Sequence, residues 1–264
     1  MSASNRVLWE KCINCSHSKL KAHLKRGDSR LDLHFDLEVP RKILKLSVCL
    51  GSISNVRVEK DNDCIQSLRK AAYEEVRSKF VVEELKNNPT VRAYRDLYWK
   101  LGVDPTKTRP SGEALLRRVL HGSDLPRIST VVDAYNLASM ITIVPISGFD
   151  GDRLKPPFQV RFANSGETFT GIGMSKPMRL TDKMLVLADE MQVLSIYPYR
   201  DCDHTKITVE TKNALIVAYG APGIVDEQLR RAVESTISNI KLTSDGETGA
   251  IQVFTSTSGD VGTR

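Results

Sequence analysis

An α+β protein built of layered β-sheets with helices is what this sequence predicts, and three observations predict it. Segments with helical periodicity crowd into the first half of the chain and strand-like segments fill the second, an order that favours layers over a regular βαβ repeat. The 264 residues are enough to bury a substantial core. The apolar fraction of 41% and charged fraction of 27% are those of ordinary globular proteins.

Residues 1–43 read as a basic N-terminal extension. The first 45 residues carry ten Lys or Arg against five acids, most of the net charge of +6. A polyanion partner is one reading of that excess, and a solvated face or loose arm is the other. Cys12-x-x-Cys15 with His17 looks like half of a zinc site, but a structural site needs four ligands and His23 and His34 stand at other spacings, so no metal is expected. Five cysteines without repeated spacing, and no apolar leader, fit a reducing cytoplasm.

The main domain is expected over residues 44–241. Leu44 to Val58 reads as two short strands around Gly51 and Ser52. Asn62 to Asn87 reads as one long amphipathic helix, with Ile65, Leu68, Ala72, Val76 and Phe80 on one face until Pro89. A second helix has Val91, Tyr94, Tyr98 and Leu101 on its apolar face and stops at Gly102. Ser111 suits the N-cap of a third, which has Glu113 in its first turn, Arg117 and Arg118 in its last, and Gly122 beyond it. Thr130 to Met140 is a fourth. Phe158–Ala163, Met184–Ala188, Val193–Tyr197 and Ala214–Tyr219 read as strands, and a helix capped by Asp226 buries Leu229, Val233, Ile237 and Ile240. Residues 242–264, small and polar, read as a flexible tail.

Sharp catalytic motifs are scarce. A phosphate-cradling glycine loop, a nucleophile elbow, an HExxH zinc helix and a dinucleotide fingerprint are all missing, and Gly171-Ile172-Gly173 is too short to count. What stands out is polar residues where a core does not need them. Asp133, Asn136 and Met140 share a helix face, so Asn136 either points into a cleft or is an exposed or structurally hydrogen-bonded amide. In YPYRDCDHTK, Tyr197 to Lys206, the alternation that follows puts Thr205 and Ile207 into a short strand. Asp201 and Asp203 then share a side if the chain is extended. Adjacent Asp203 and His204 point apart, Cys202 has no evident base partner, and a metal site here is thin.

Tyr94 to Asn136 (YRDLYWKLGVDPTKTRPSGEALLRRVLHGSDLPRISTVVDAYN), with RFANSGETF at Arg161 to Phe169, LVLAD at Leu185 to Asp189 and ETKN at Glu210 to Asn213, resembles the B3/B4 domain, the editing domain of the phenylalanyl-tRNA synthetase β subunit, especially its free-standing relatives. Several separated segments in one order, over roughly residues 91 to 240, make the resemblance specific. In the synthetase that domain hydrolyses tRNA charged with the wrong amino acid. The resemblance therefore implies a B3/B4-like fold with a cleft for the 3′ end of an aminoacyl-tRNA, no synthetase activity, and a stand-alone deacylase acting in trans. It implies no cofactor, a tRNA partner, no DNA and no membrane. The alternative is a tRNA- or amino-acid-binding module that kept the fold without hydrolysis.

Residue by residue, Arg161, Gly166, Glu167, Asp133 and Asn136 keep the family pattern. Ser147, within VPISGFD, stands where the synthetase usually has histidine, and Asp203 stands where it has the glutamate that reads the amino acid. These departures point to a pocket other than the synthetase's own, which receives mischarged tyrosine. Asp203, Asn136, Ser147 and Thr205 are the expected catalytic set, holding a water or the α-ammonium group, with backbone N–H groups near Gly166 or Gly148 facing the oxyanion. An aminoacyl ester is already activated, so positioning and oxyanion stabilisation suffice. Asp201 and Arg200, as a supporting ion pair, join Asp133, Arg161, Gly166 and Glu167 as substrate-binding residues, and His204 points outward.

Overall fold

A computed structural model describes residues 31–256. The Cys12, Cys15 and His17 cluster, and seven of the ten basic residues in the first 45, lie outside them.

Sheet pairing begins earlier than expected. Leu33–Phe35 (β1) lies parallel to Phe158–Phe162 (β4). The short helix Glu38–Lys42 (α1) that follows buries Val39, and Ile43 is buried just beyond it. Residues from Leu31 onward thus belong to the folded body, because their apolar positions complete its core, and the expected extension ends there.

One sheet of five strands has the order β1-β4-β7-β8-β9, with Leu185–Ala188 as β7, Val193–Ile196 as β8 and Arg200–Asp201 as β9. The other has four, in the order β11-β2-β10-β3: Ser47–Ser54 (β2), Ile146–Asp150 (β3), Ala214–Tyr219 (β10) and Glu247–Thr255 (β11). A small hairpin joins Thr168–Phe169 (β5) to Met178–Arg179 (β6).

Two expectations fail here. The supposed flexible tail contains β11, paired along its length with β2. Its Ile251, Val253 and Phe254 pack on the core, so a segment rich in small polar residues gains order from its neighbour strand. Gly51 marks no turn either, since it sits inside the single strand β2. A β-carbon there would lie 2.3 Å from Val233 Cγ1, so the glycine lets the helix Asp226–Ser244 press onto the sheet.

The helices follow in order. Asp63–Lys79 (α2) starts where Asn62 accepts from Ile65 N–H, and ends at extended Phe80; Val82–Asn87 is a separate 3₁₀ turn. The long helix of the sequence reading is broken there by extended backbone at Phe80 and Val81, a conformation that the β-branched Val81 favours. Pro89–Lys100 (α3) is capped by Asn88. Ser111–Leu120 (α4) has Pro110, not Ser111, in the capping position. Thr130–Thr142 (α5) is capped by Ser129, and Asp226–Ser244 (α6) by Val225 without a side-chain bond, so Asp226 is the first helical residue rather than the cap.

The two sheets meet through buried tyrosines. Tyr197 and Tyr219 are edge-on with centroids 4.8 Å apart. Tyr219 Oη is 2.7 Å from Ser195 Oγ, Tyr197 donates to Gly220 O at 2.8 Å, and Tyr94 on α3 donates to Tyr219 O at 2.7 Å. Each hydroxyl supplies a bond that buried polar atoms require. Among the described residues no helix is long and apolar enough to cross a membrane.

Candidate functional site

The edge of the four-stranded sheet carries the site. β3 is an outer strand, and the chain after β9 runs beside it, with Asp150 N–H donating to Thr205 O at 2.8 Å. Backbone groups alternate along a strand, so Gly148, two residues earlier, turns its N–H to the same outer edge. On the opposite face the ring of Tyr135 from α5 covers Gly148. A β-carbon there would stand 2.8 Å from Tyr135 Cε1, so only glycine fits.

Ser147, 5% exposed, donates to Asp201 Oδ1 at 2.7 Å across the gap between the sheets. That is the only hydrogen bond the Asp201 carboxylate receives among the described residues. Burial pushes its pKa up to about 6, and the Ser147 hydroxyl opposes part of the rise. The tyrosines around it respond in kind: burial, with the Asp201 charge second, holds the Tyr135 and Tyr219 phenols well above their usual value. A carboxyl that titrates near neutrality can exchange protons under ordinary conditions.

Asp203 does not share this setting. It bonds Lys206 Nζ at 2.8 Å as a surface ion pair, with its side chain 41% exposed. Thr205 is fully buried and its Oγ1 has no partner among the described residues. The stretch after it is a turn rather than the expected strand, closed by Thr211 N–H to Thr208 O and by Thr208 N–H to Thr211 Oγ1. Asn136 is part-exposed on α5, its side chain without a hydrogen bond among the described residues, and its neighbour Tyr135 reaches β3.

Other expected site residues are engaged in the scaffold. Asp133, 3% exposed, takes Arg69 Nη2 at 2.5 Å and Ile128 N–H at 3.0 Å, so its carboxylate is closed to a ligand. Arg161 grips Glu167 with two bonds of 2.9 and 2.7 Å, and Glu167 also accepts from Asn164 N–H. Gly166 has φ +81 and donates its N–H to Leu180 O, which removes it from any oxyanion role. The expected Arg200–Asp201 ion pair is absent: neighbours on a strand face opposite ways, and the Arg200 stem lies over Gly171 instead.

LVLAD and ETKN are accounted for in the same manner. Asp189 accepts from the N–H groups of Lys155, Met191 and Gln192. Thr211 donates to Asp150, and Asn213 to Asp152. His204 is exposed beside Gln192, and Cys202 is buried in a small apolar cluster. No group of three metal-ligating side chains occurs among the described residues.

The site that emerges is a junction of Ser147, Gly148, Asp201 and Tyr135. Sequence reasoning named the first three but ranked Asp201 below Asp203, and it did not single out Tyr135. The signal for Tyr135 was Gly148 itself, since a glycine inside a strand marks close approach by something bulky.

Fold and junction together define a two-sheet α+β domain with an underpaired carboxyl at a sheet edge. The chain belongs to the B3/4 domain family, whose model matches residues 93–241, more than half of it. It is 31% identical over 117 residues to the phenylalanine–tRNA ligase β subunit of Pectobacterium atrosepticum, covering 44% of this chain and 15% of that subunit. Against the same subunit of Neisseria meningitidis it is 27% identical over 130 residues, 49% of this chain and 16% of the relative. The chain thus spans about a sixth of these relatives. An N-terminal fragment of the phenylalanyl-tRNA synthetase β subunit from Pyrococcus horikoshii aligns with a TM-score of 0.47 at 15% identity, over 90% of this chain and 55% of the fragment.

Proposed function

We propose that this chain hydrolyses the ester bond of aminoacyl-tRNA, as a stand-alone deacylase in the cytoplasm, with Asp201 as general base. The observation that carries the reading is the Asp201 carboxyl, held among the described residues by Ser147 alone and poised near pKa 6. The relatives are named for a ligase that handles tRNA, which supports the same substrate class.

In this reading ionised Asp201 takes a proton from a water as the water attacks the ester carbonyl. The Gly148 N–H receives the charge that develops on the carbonyl oxygen. Collapse of the tetrahedral intermediate breaks the bond to the ribose oxygen, which recovers the proton from Asp201. The products are a free amino acid and tRNA with its terminal hydroxyl restored. Ser147 fixes the carboxylate and keeps its pKa from rising further.

The test is a panel of mischarged tRNAs incubated with the purified chain, and hydrolysis no faster than background across the panel would rule the reading out. One observation favours the alternative, a non-catalytic binder. Asp203, at the position of the family's amino-acid-reading acid, is tied to Lys206 at the surface. Salt-dependent tRNA binding without turnover would select that alternative.

A further inference from the structure

The β5–β6 hairpin lies alongside the segment that carries Asp201. Ile172 N–H donates to Asp201 O and Asp203 N–H to Thr170 O, each at 2.9 Å, and Gly171 bridges Cys202. Arg200 crosses this junction. A β-carbon on Gly171 would sit 2.6 Å from Arg200 Cδ and 2.7 Å from Cγ, so the guanidinium stem rests directly on the glycine.

Arg200 is exposed and has no acidic partner among the described residues, and the same holds for Lys176 and Arg179 on the hairpin. Three exposed cations on helices differ. Arg41, Lys79 and Arg231 each pair with a glutamate three or four residues away on their own helix. The hairpin's own acid, Glu167, is neutralised by Arg161. In the turn after β6, Asp182 and Lys183 offset one another in formal charge.

Resting on the deacylase reading, we infer that Arg200, Lys176 and Arg179 form a phosphodiester-binding platform for the RNA strand that leads to the 3′ ester. Separate cations along an extended hairpin suit a repeating line of phosphates better than one compact anion, and guanidinium groups match phosphate oxygens in pairs. Half-buried Tyr199 adjoins Arg200 and offers a ring on which a base can stack. Strand alternation puts Arg200 and Asp201 on opposite faces, so phosphates cross the hairpin side while the terminal ester turns over the strand edge to the carboxyl.

The test uses the full chain and uncharged tRNA, with affinity measured by anisotropy across a salt series. For the triple substitution Lys176→Gln, Arg179→Gln, Arg200→Gln, the slope of log affinity against log salt falls by about 2, at roughly 0.7 to 0.9 per phosphate contact. Gly171→Ala displaces Arg200 without changing charge and lowers the slope by about 1. An unchanged slope in the triple variant overturns the inference, as does failure of the parent chain to bind tRNA. So does an equal loss from Arg41→Gln, Lys79→Gln, Arg231→Gln, which would reduce the effect to net charge. Uncharged tRNA carries no ester, so this outcome is independent of whether the chain hydrolyses one.

Discussion

A buried and a half-buried aspartate show how the same side chain is closed into the scaffold in one place and left short of partners in another. Asp133, between α5 and α2, faces an arginine and a backbone N–H. Asp201, between the sheets, faces a single neutral hydroxyl. Burial raises both pKa values above the usual carboxylate range, and in Asp133 the Ile128 N–H and Arg69 oppose it. A compensated charge is costly to disturb and available to nothing else. An undercompensated one leaves a proton equilibrium open near neutral pH, which is what a general base requires.

The largest effect expected from breaking this contrast is catalytic. Asp201→Asn keeps the shape and the Ser147 contact, and should lower the deacylation rate by about 100- to 10,000-fold with the fold intact. Asp203→Ala, on the surface pair, should change the rate less than threefold or so, within the ±0.5 kcal/mol usual for surface sites. Single-turnover assays on one mischarged tRNA compare the two, and a greater loss at Asp203 would reverse the assignment.

Asp133→Ala should act on stability instead, costing about 3 to 5 kcal/mol in urea unfolding by stranding the buried Arg69 charge. Were Asp133→Ala folded and stable but inactive, the scaffold role would be wrong. Gly148→Ala drives a methyl into the Tyr135 ring and should destabilise by about 1 to 3 kcal/mol. Repacking with Tyr135→Phe should not relieve that clash, because the ring remains.

The remaining effects concern pH. Asp201 has a folded pKa raised from 3.8 to about 6, so the folded state holds its proton more tightly. Its contribution to stability is full below about pH 4, is lost as pH rises through 6, and is on the order of 3 kcal/mol. Asp201→Asn should flatten the stability curve between pH 4 and 7. Ser147→Ala removes the bond that lowers the Asp201 pKa, so the rising limb of the rate profile should move to higher pH. A profile that stays in place would detach Ser147 from the carboxyl's titration.

Legibility followed interaction range. Helix faces such as Val91, Tyr94 and Tyr98, and strands such as Ala214–Tyr219, are encoded by neighbours a few residues apart, and they appear where periodicity put them. β11 was illegible because its order comes from pairing with a strand some two hundred residues earlier. Asp201 was underrated for a similar reason: its partner Ser147 is 54 positions away. Arg161 and Glu167, expected to bind substrate, serve each other instead, which spacing alone does not reveal.

By itself, the sequence determined the α+β class, the family and the short list of polar residues, since periodicity, turn chemistry and ordered motifs are written along the chain. Only tertiary structure decided which carboxylate is short of partners. That property depends on how much water and how many donors the assembled sheets leave around each oxygen, and neither is a function of local spacing.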